Sequence, residues 1–159
     1  MTRLQLQEFV LTNLNVKWHE PPTSREAKMA FRFGYDVARH KSDKRRFRLQ
    51  FTVRAEPADK KVPVGYEIES TIVGLFEFVD GMSEGEMQAL IRINGGTILY
   101  GILRGQIAAF TGSFPGGKFS LPTVMMHEIV EQIEASRAVK KSAGQATGLM
   151  AYRGPSAKA

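Results

Sequence analysis

His127 and Glu131 stand four residues apart in a segment of helical periodicity, a spacing that puts an imidazole and a carboxylate on one helical face. Two such groups can begin a metal site. Glu128, Glu131 and Glu134 are read as a solvated face, so no third ligand is counted, an ion pair accounts for the spacing and no metal is expected. Glu67 and Glu69 share one face of a strand. General acid–base work would need surroundings that drive their pKa values apart, and their neighbours supply none. His19 and His40 fall at a strand end and a turn. The serines, Ser83 among them, are read as sitting in no G-x-S-x-G context. Gly95-Gly96 and Gly116-Gly117 are read as lacking the lysine and Ser/Thr of a phosphate loop, and so as a helix start and a turn. The chain has no cysteine, which removes thiolate catalysis and disulfides and fits a cytoplasmic location. The expectation is a protein that is not an enzyme and uses no metal or cofactor.

The elements that would position any binding surface begin with four stretches of period two, the mark of half-buried strands. In the first, Leu4, Leu6, Val10, Leu14, Val16 and Trp18 alternate with polar residues, and Pro21-Pro22 ends it. The second carries Met29, Phe31, Phe33, Tyr35 and Val37 on one face, and the third carries Phe47, Leu49, Phe51 and Val53. The fourth has Tyr66, Ile68, Ile72, Phe76 and Phe78 on even positions, with Val73, Leu75 and Val79 making its far half apolar on both faces. Such a strand calls for something packed on each side of the sheet. Short connections favour an antiparallel meander.

The stretch 94–122 then reads as a helix opened by Gly95-Gly96, a Phe-Pro-Gly-Gly turn and an apolar run ending at Pro122. Ile98, Leu99, Ile102, Leu103, Ile107, Ala109 and Phe110 cover about half of the helix circumference, and Gly101, Gly105 and Ala108 form a small-residue face. One sheet cannot cover so wide a surface, so a second layer or a second subunit is expected over it. Thr123 is read as the cap of a final helix in which Met126, Ile129, Val130 and Ile133 recur at amphipathic spacing. The fold class is α+β: a four-stranded antiparallel sheet, a long buried helix and a C-terminal helix. The expected organisation is one domain over residues 1–140 and a flexible, glycine-rich tail over 141–159.

The net charge is +6, a bias toward acidic or polyanionic partners, part of it in the turn and tail lysines. Arg46, Arg48 and Arg54, with Lys28 and Arg32, could form a basic sheet face for phosphates. The strand phenylalanines fall on the opposite face, away from any base that might stack. A basic nucleic-acid-binding domain therefore stays as an alternative. No apolar run is long enough to insert into a membrane, and the first residues do not form a signal peptide.

From about Leu6 to Ile133 the chain resembles the SecB protein-export chaperone family. The resemblance lies in Gly74-Leu75-Phe76, in Ile98-Leu99-Tyr100 with Arg104, in Phe114-Pro115, and in Leu121-Pro122 before the last helix, in that order. Where the family usually has Pro-Tyr-Ala-Arg-Glu, this chain has Gly101-Ile102-Leu103-Arg104-Gly105. The resemblance implies a homotetrameric holdase, a dimer of dimers, that binds unfolded or nascent polypeptides without ATP. It implies client contacts at Phe114, Phe119, Leu121, Met125, Met126 and Ile129, and a subunit interface at Ile98, Gly101, Ile102, Gly105, Ala108 and Ala109. Export members dock the SecA motor through sheet carboxylates. Here the matching first-strand positions are Asn13 and Lys17, while Glu67 and Glu69 remain. Divergent members hold the antitoxin of a toxin–antitoxin module, which is the alternative partner.

Overall fold

The computed structural model describes residues 2–20, 28–61 and 63–147; the turn at Pro21-Pro22 and the tail beyond 147 lie outside them. Four strands form one antiparallel sheet: β1 (Leu4–His19), β2 (Met29–Arg39), β3 (Arg46–Pro57) and β4 (Gly65–Phe78). Their order is β1-β4-β3-β2, which corrects the expected meander. β2, β3 and β4 are consecutive neighbours, but β1 joins at β4, giving Greek-key order. The reason is visible in β4. A strand apolar on both faces is an interior strand, and β1 supplies its second neighbour.

β1 does not keep one parity. Its register against β4 shifts between Leu6 and Glu8 and again between Leu11 and Asn13, so Gln7 and Thr12 are the extra residues of two bulges. Between them Phe9 and Leu11 oppose Gly74 and Ile72, while Val10 opposes Val73 on the other face. Val10 is thus turned away from the even-numbered row expected for it. Ser70, fully buried, donates from Oγ to the Asn13 carbonyl at 2.9 Å and satisfies the backbone beside the second bulge.

The helical segment starts earlier than the glycines indicated. Ser83 caps α1 (Glu84–Leu90) in a reciprocal box with Glu86, and helix continues through a π-helical stretch, Ile91–Gly95, into α2 (Gly96–Thr111). Gly95 and Gly96 lie inside this run because space is short. A Cβ on Gly95 would meet Leu49 at 3.0 Å, and one on Gly96 would meet the Met126 sulfur at 3.0 Å. Leu99, Leu103 and Ile107 of α2, with Ile91, close the core against Leu49, Phe51, Ile72 and Phe76, all almost fully buried. This is one face of the sheet. The other carries the alternating Arg46, Arg48 and Arg54 and the carboxylates of β4; of the apolar residues expected to be covered there, Val73 is buried and Leu75 is exposed.

Two compact units make up the chain, divided after Met126. The final helix, α3 (Met126–Thr147), lies almost wholly in the second unit. It begins three residues beyond Thr123 and continues through 141–147, where the sequence reading starts the tail. Glu134 and Arg137 pair along it at 3.5 Å.

Candidate functional site

The end of α2 and the loop after it bring aromatic side chains to one end of the sheet. Thr111 ends the helix by donating its hydroxyl to the Ile107 carbonyl at 2.7 Å, and the same oxygen accepts the Phe119 amide at 2.8 Å. Between these points Phe114-Pro115-Gly116-Gly117 forms a turn closed by the Gly117 amide on the Phe114 carbonyl at 2.9 Å. Pro115 presets φ at the second turn position, and Gly117 takes a positive φ of 71°. Tyr66, at the start of β4, pins the loop by donating its hydroxyl to the carbonyls of Thr111 and Gly117. Burial raises its pKa above the ordinary tyrosine value.

Around Tyr66 the rings are continuous. Trp18 at the end of β1 is 4.9 Å away between centroids, Phe119 5.4 Å and Phe114 6.0 Å; Phe110 joins at Phe114 and Phe31 at Phe119. Tyr66 is buried, Trp18, Phe31, Phe114 and Phe119 are half-buried, and Phe110 is 49% exposed. This is an apolar surface whose one hydroxyl is already committed to the loop. It can hold apolar side chains of many shapes and has few directional groups with which to select among them.

The expected client residues divide. Phe114 and Phe119 belong to the cluster. Met125 is 57% exposed on the segment before α3. Leu121 is fully buried and Met126 packs against Gly96, so both serve the core. Ile129 lies on α3, in the second unit. Trp18, Phe31, Tyr66 and Phe110, which the sequence reading did not name, join this candidate surface. Their signal was an aromatic at or near the end of each of four elements, which acquires meaning only with the strand order. Of the expected interface, Ile98, Gly101, Gly105 and Ala109 are exposed on α2, and Ile102 and Ala108 half-buried. A Cβ on Gly101 or Gly105 would meet nothing within 4 Å.

Two motifs need correction. Gly81-Met82-Ser83-Glu84-Gly85 does match G-x-S-x-G, but the Ser83 oxygen is spent on the α1 cap, accepting the Glu86 amide at 3.3 Å and donating to its carboxylate at 2.8 Å. Gly112 to Lys118 runs G-x-x-x-x-G-K, with Phe119 where a phosphate loop has Ser or Thr. Here it follows a helix and leads into an extended segment, without the following helix N-terminus that would receive a phosphate. Glu67 lies at hydrogen-bond distance, 3.3 Å, from the His19 ring, and Glu69 is in an ion pair with Arg54 at 3.1 Å. Among the described residues no three His, Asp or Glu side chains gather as a metal site.

Comparison of the whole chain with solved structures supplies the remaining observation. The Mycobacterium tuberculosis Rv1957 SecB-like chaperone, in complex with a ChAD peptide from the Rv1956 HigA1 antitoxin, superposes with a TM-score of 0.62, covering 77% of this chain and 91% of that one at 17% identity. The fold is SecB-like. A protein of unknown function from Streptococcus agalactiae aligns at a TM-score of 0.42 and 9% identity, too distant to bear on the fold. No protein-family model and no curated protein sequence matches the chain. In SecB-like terms, the sheet, the long helix and the loop with Phe114-Pro115 are all present, and the aromatic cluster sits where the helix hands over to the loop.

Proposed function

We propose that this protein is an ATP-independent holdase chaperone that takes apolar segments of unfolded polypeptides onto the Trp18–Tyr66–Phe114–Phe119 cluster. The observation that carries the reading is the cluster itself: five linked rings around Tyr66, most of them part-exposed, with no charged group among them. The SecB-like fold supports it. Assembly would use the open face of α2, where Gly101 and Gly105 leave room for another backbone, to give the tetramer of the resemblance.

A client of one kind, an antitoxin segment, is the second reading. It is favoured by the antitoxin peptide held by the structurally similar chaperone. Docking to SecA has less support, because Glu67 and Glu69 are already engaged by His19 and Arg54. Nucleic-acid binding has less again: Arg32, Arg46 and Arg54 pair with Glu56, Glu77 and Glu69, and no strand aromatic shares their face.

Light scattering of a chemically unfolded client diluted into buffer tests the proposal. Suppression at near-stoichiometric ratio without nucleotide is expected. Aggregation that proceeds unchanged at every ratio removes the holdase reading.

A further inference from the structure

The sheet face turned away from α2 carries a second surface, separate from the aromatic cluster. The bulges in β1 turn Val10 onto it, opposite Val73, and Leu75 follows two residues along β4. Val10 is 48% exposed and Leu75 43% exposed, an apolar strip where an alternating strand would have put polar residues. Beside the strip opens a groove of about 860 Å³ whose walls include Gln7, Lys41, Arg46, Arg48, Leu75 and Glu77.

The charges of this groove do not cancel. Glu77, the carboxylate of its lining, lies 3.5 Å from Arg45 and 3.7 Å from Arg46. Arg39, also in the lining, is taken by Glu84 at 3.0 Å, and His40 accepts the Asp43 amide at Nδ1. Arg48 donates to the neutral Gln50 side chain at 3.2 Å, and neither it nor Lys41 has a carboxylate partner among the described residues. On the β1 side Glu8 stands opposite Leu75. Two cations without a carboxylate partner therefore flank the strip on the β3 side, and the Glu8 carboxylate borders it on the β1 side.

We infer that this end of the outer sheet face docks an acidic, amphipathic segment of a partner protein, with its apolar side chains on Val10 and Leu75 and its carboxylates on Arg48 and Lys41. Apolar contact supplies affinity, and the two cations set register and association rate. A single-stranded nucleic acid would also meet the cations, but its bases need exposed aromatics. All strand aromatics, from Phe9 to Phe78, register on the face toward α2.

Fluorescence anisotropy with a labelled short peptide alternating Glu and Leu tests the inference on the 159-residue chain. Saturable binding is expected. It should weaken by about tenfold or more in the double variant R48E/K41E and in Leu75→Ser, and stay unchanged in Lys17→Glu, which reverses a charge at the other end of the same strand pair. Weakening in Phe119→Ser with R48E/K41E unaffected places the peptide on the aromatic cluster and overturns the inference. R48Q/K41Q, which removes charge without reversing it, should weaken binding in the same direction, and circular dichroism checks that each variant is folded. Absence of peptide binding overturns the inference, as does equal binding by wild type and R48E/K41E. Tighter binding of an oligothymidylate than of the peptide, lost in R48E/K41E, also overturns it and assigns the surface to nucleic acid. Loss of holdase activity in Phe119→Ser with peptide binding intact separates this surface from the proposed client site.

Discussion

Gly116 lies so close to the Trp18 indole that a Cβ built on it would fall 2.2 Å from ring carbon Cζ3. The loop after α2 is therefore seated directly on the end of β1, and the seat exists because residue 116 has no side chain. Gly116→Ala must displace either the loop or the ring. The expected cost is about 1–3 kcal/mol, the usual range for overpacking, read as a lower denaturant midpoint with a shifted Trp18 emission maximum.

Tyr66 holds the same loop from below. Tyr66→Phe keeps the ring contacts but leaves the Gly117 carbonyl without the hydroxyl, whereas Thr111 keeps the Phe114 amide on its carbonyl. A loss of about 1–2 kcal/mol is expected by chemical denaturation.

The pH dependence follows from burial of Tyr66 and Tyr100, which raises both pKa values above the ordinary 10.0; Arg104 opposes the shift at Tyr100 in part. A raised pKa means that the folded state holds its proton longer than the unfolded chain does. This contribution is complete below about pH 10 and is lost as pH climbs through the folded values. Denaturant midpoints on either side of pH 10 should fall in wild type and fall less in Tyr66→Phe.

Gly101 and Gly105 give opposed expectations for stability and assembly. Within one chain an added methyl meets open space, so Gly101→Ala and Gly105→Ala should stabilise α2 by about 0.5–1 kcal/mol each. If their face is the subunit interface, the same substitutions lower the mass measured by light scattering. Greater stability with unchanged mass removes these glycines from the interface.

The cap of α1 makes a smaller prediction. Ser83→Ala should cost about 1 kcal/mol of stability. The Glu86 carboxyl, held below its ordinary pKa first by the Ser83 amide and then by its hydroxyl, stabilises above the unfolded value and loses this as pH falls through the folded one. That acid-side dependence should shrink in Ser83→Ala.

Period-two runs such as Phe47-x-Leu49-x-Phe51-x-Val53 made the strands legible, since one buried face forces alternation. The bulges were not legible. Phe9-Val10-Leu11 is apolar without alternation, and only pairing with β4 decides which residue faces the core. Gly95-Gly96 looked like a helix start because glycine commonly marks helix ends, yet Leu49 and Met126 are what exclude a side chain there. Half of the candidate surface was readable for a similar reason. Phe114 and Phe119 stand together in the chain, whereas Trp18 and Tyr66 meet only because β1 pairs with β4.

Trp18 is the chain's one tryptophan and stands within the proposed client surface, so it reports on the central claim directly. Its emission should be measured while a tryptophan-free unfolded polypeptide is titrated in without nucleotide. A saturable spectral change, weakened in Phe119→Ser, is the predicted result. Client that is bound, by the protein's own suppression of aggregation, while Trp18 emission stays fixed would contradict the account and place the binding surface elsewhere.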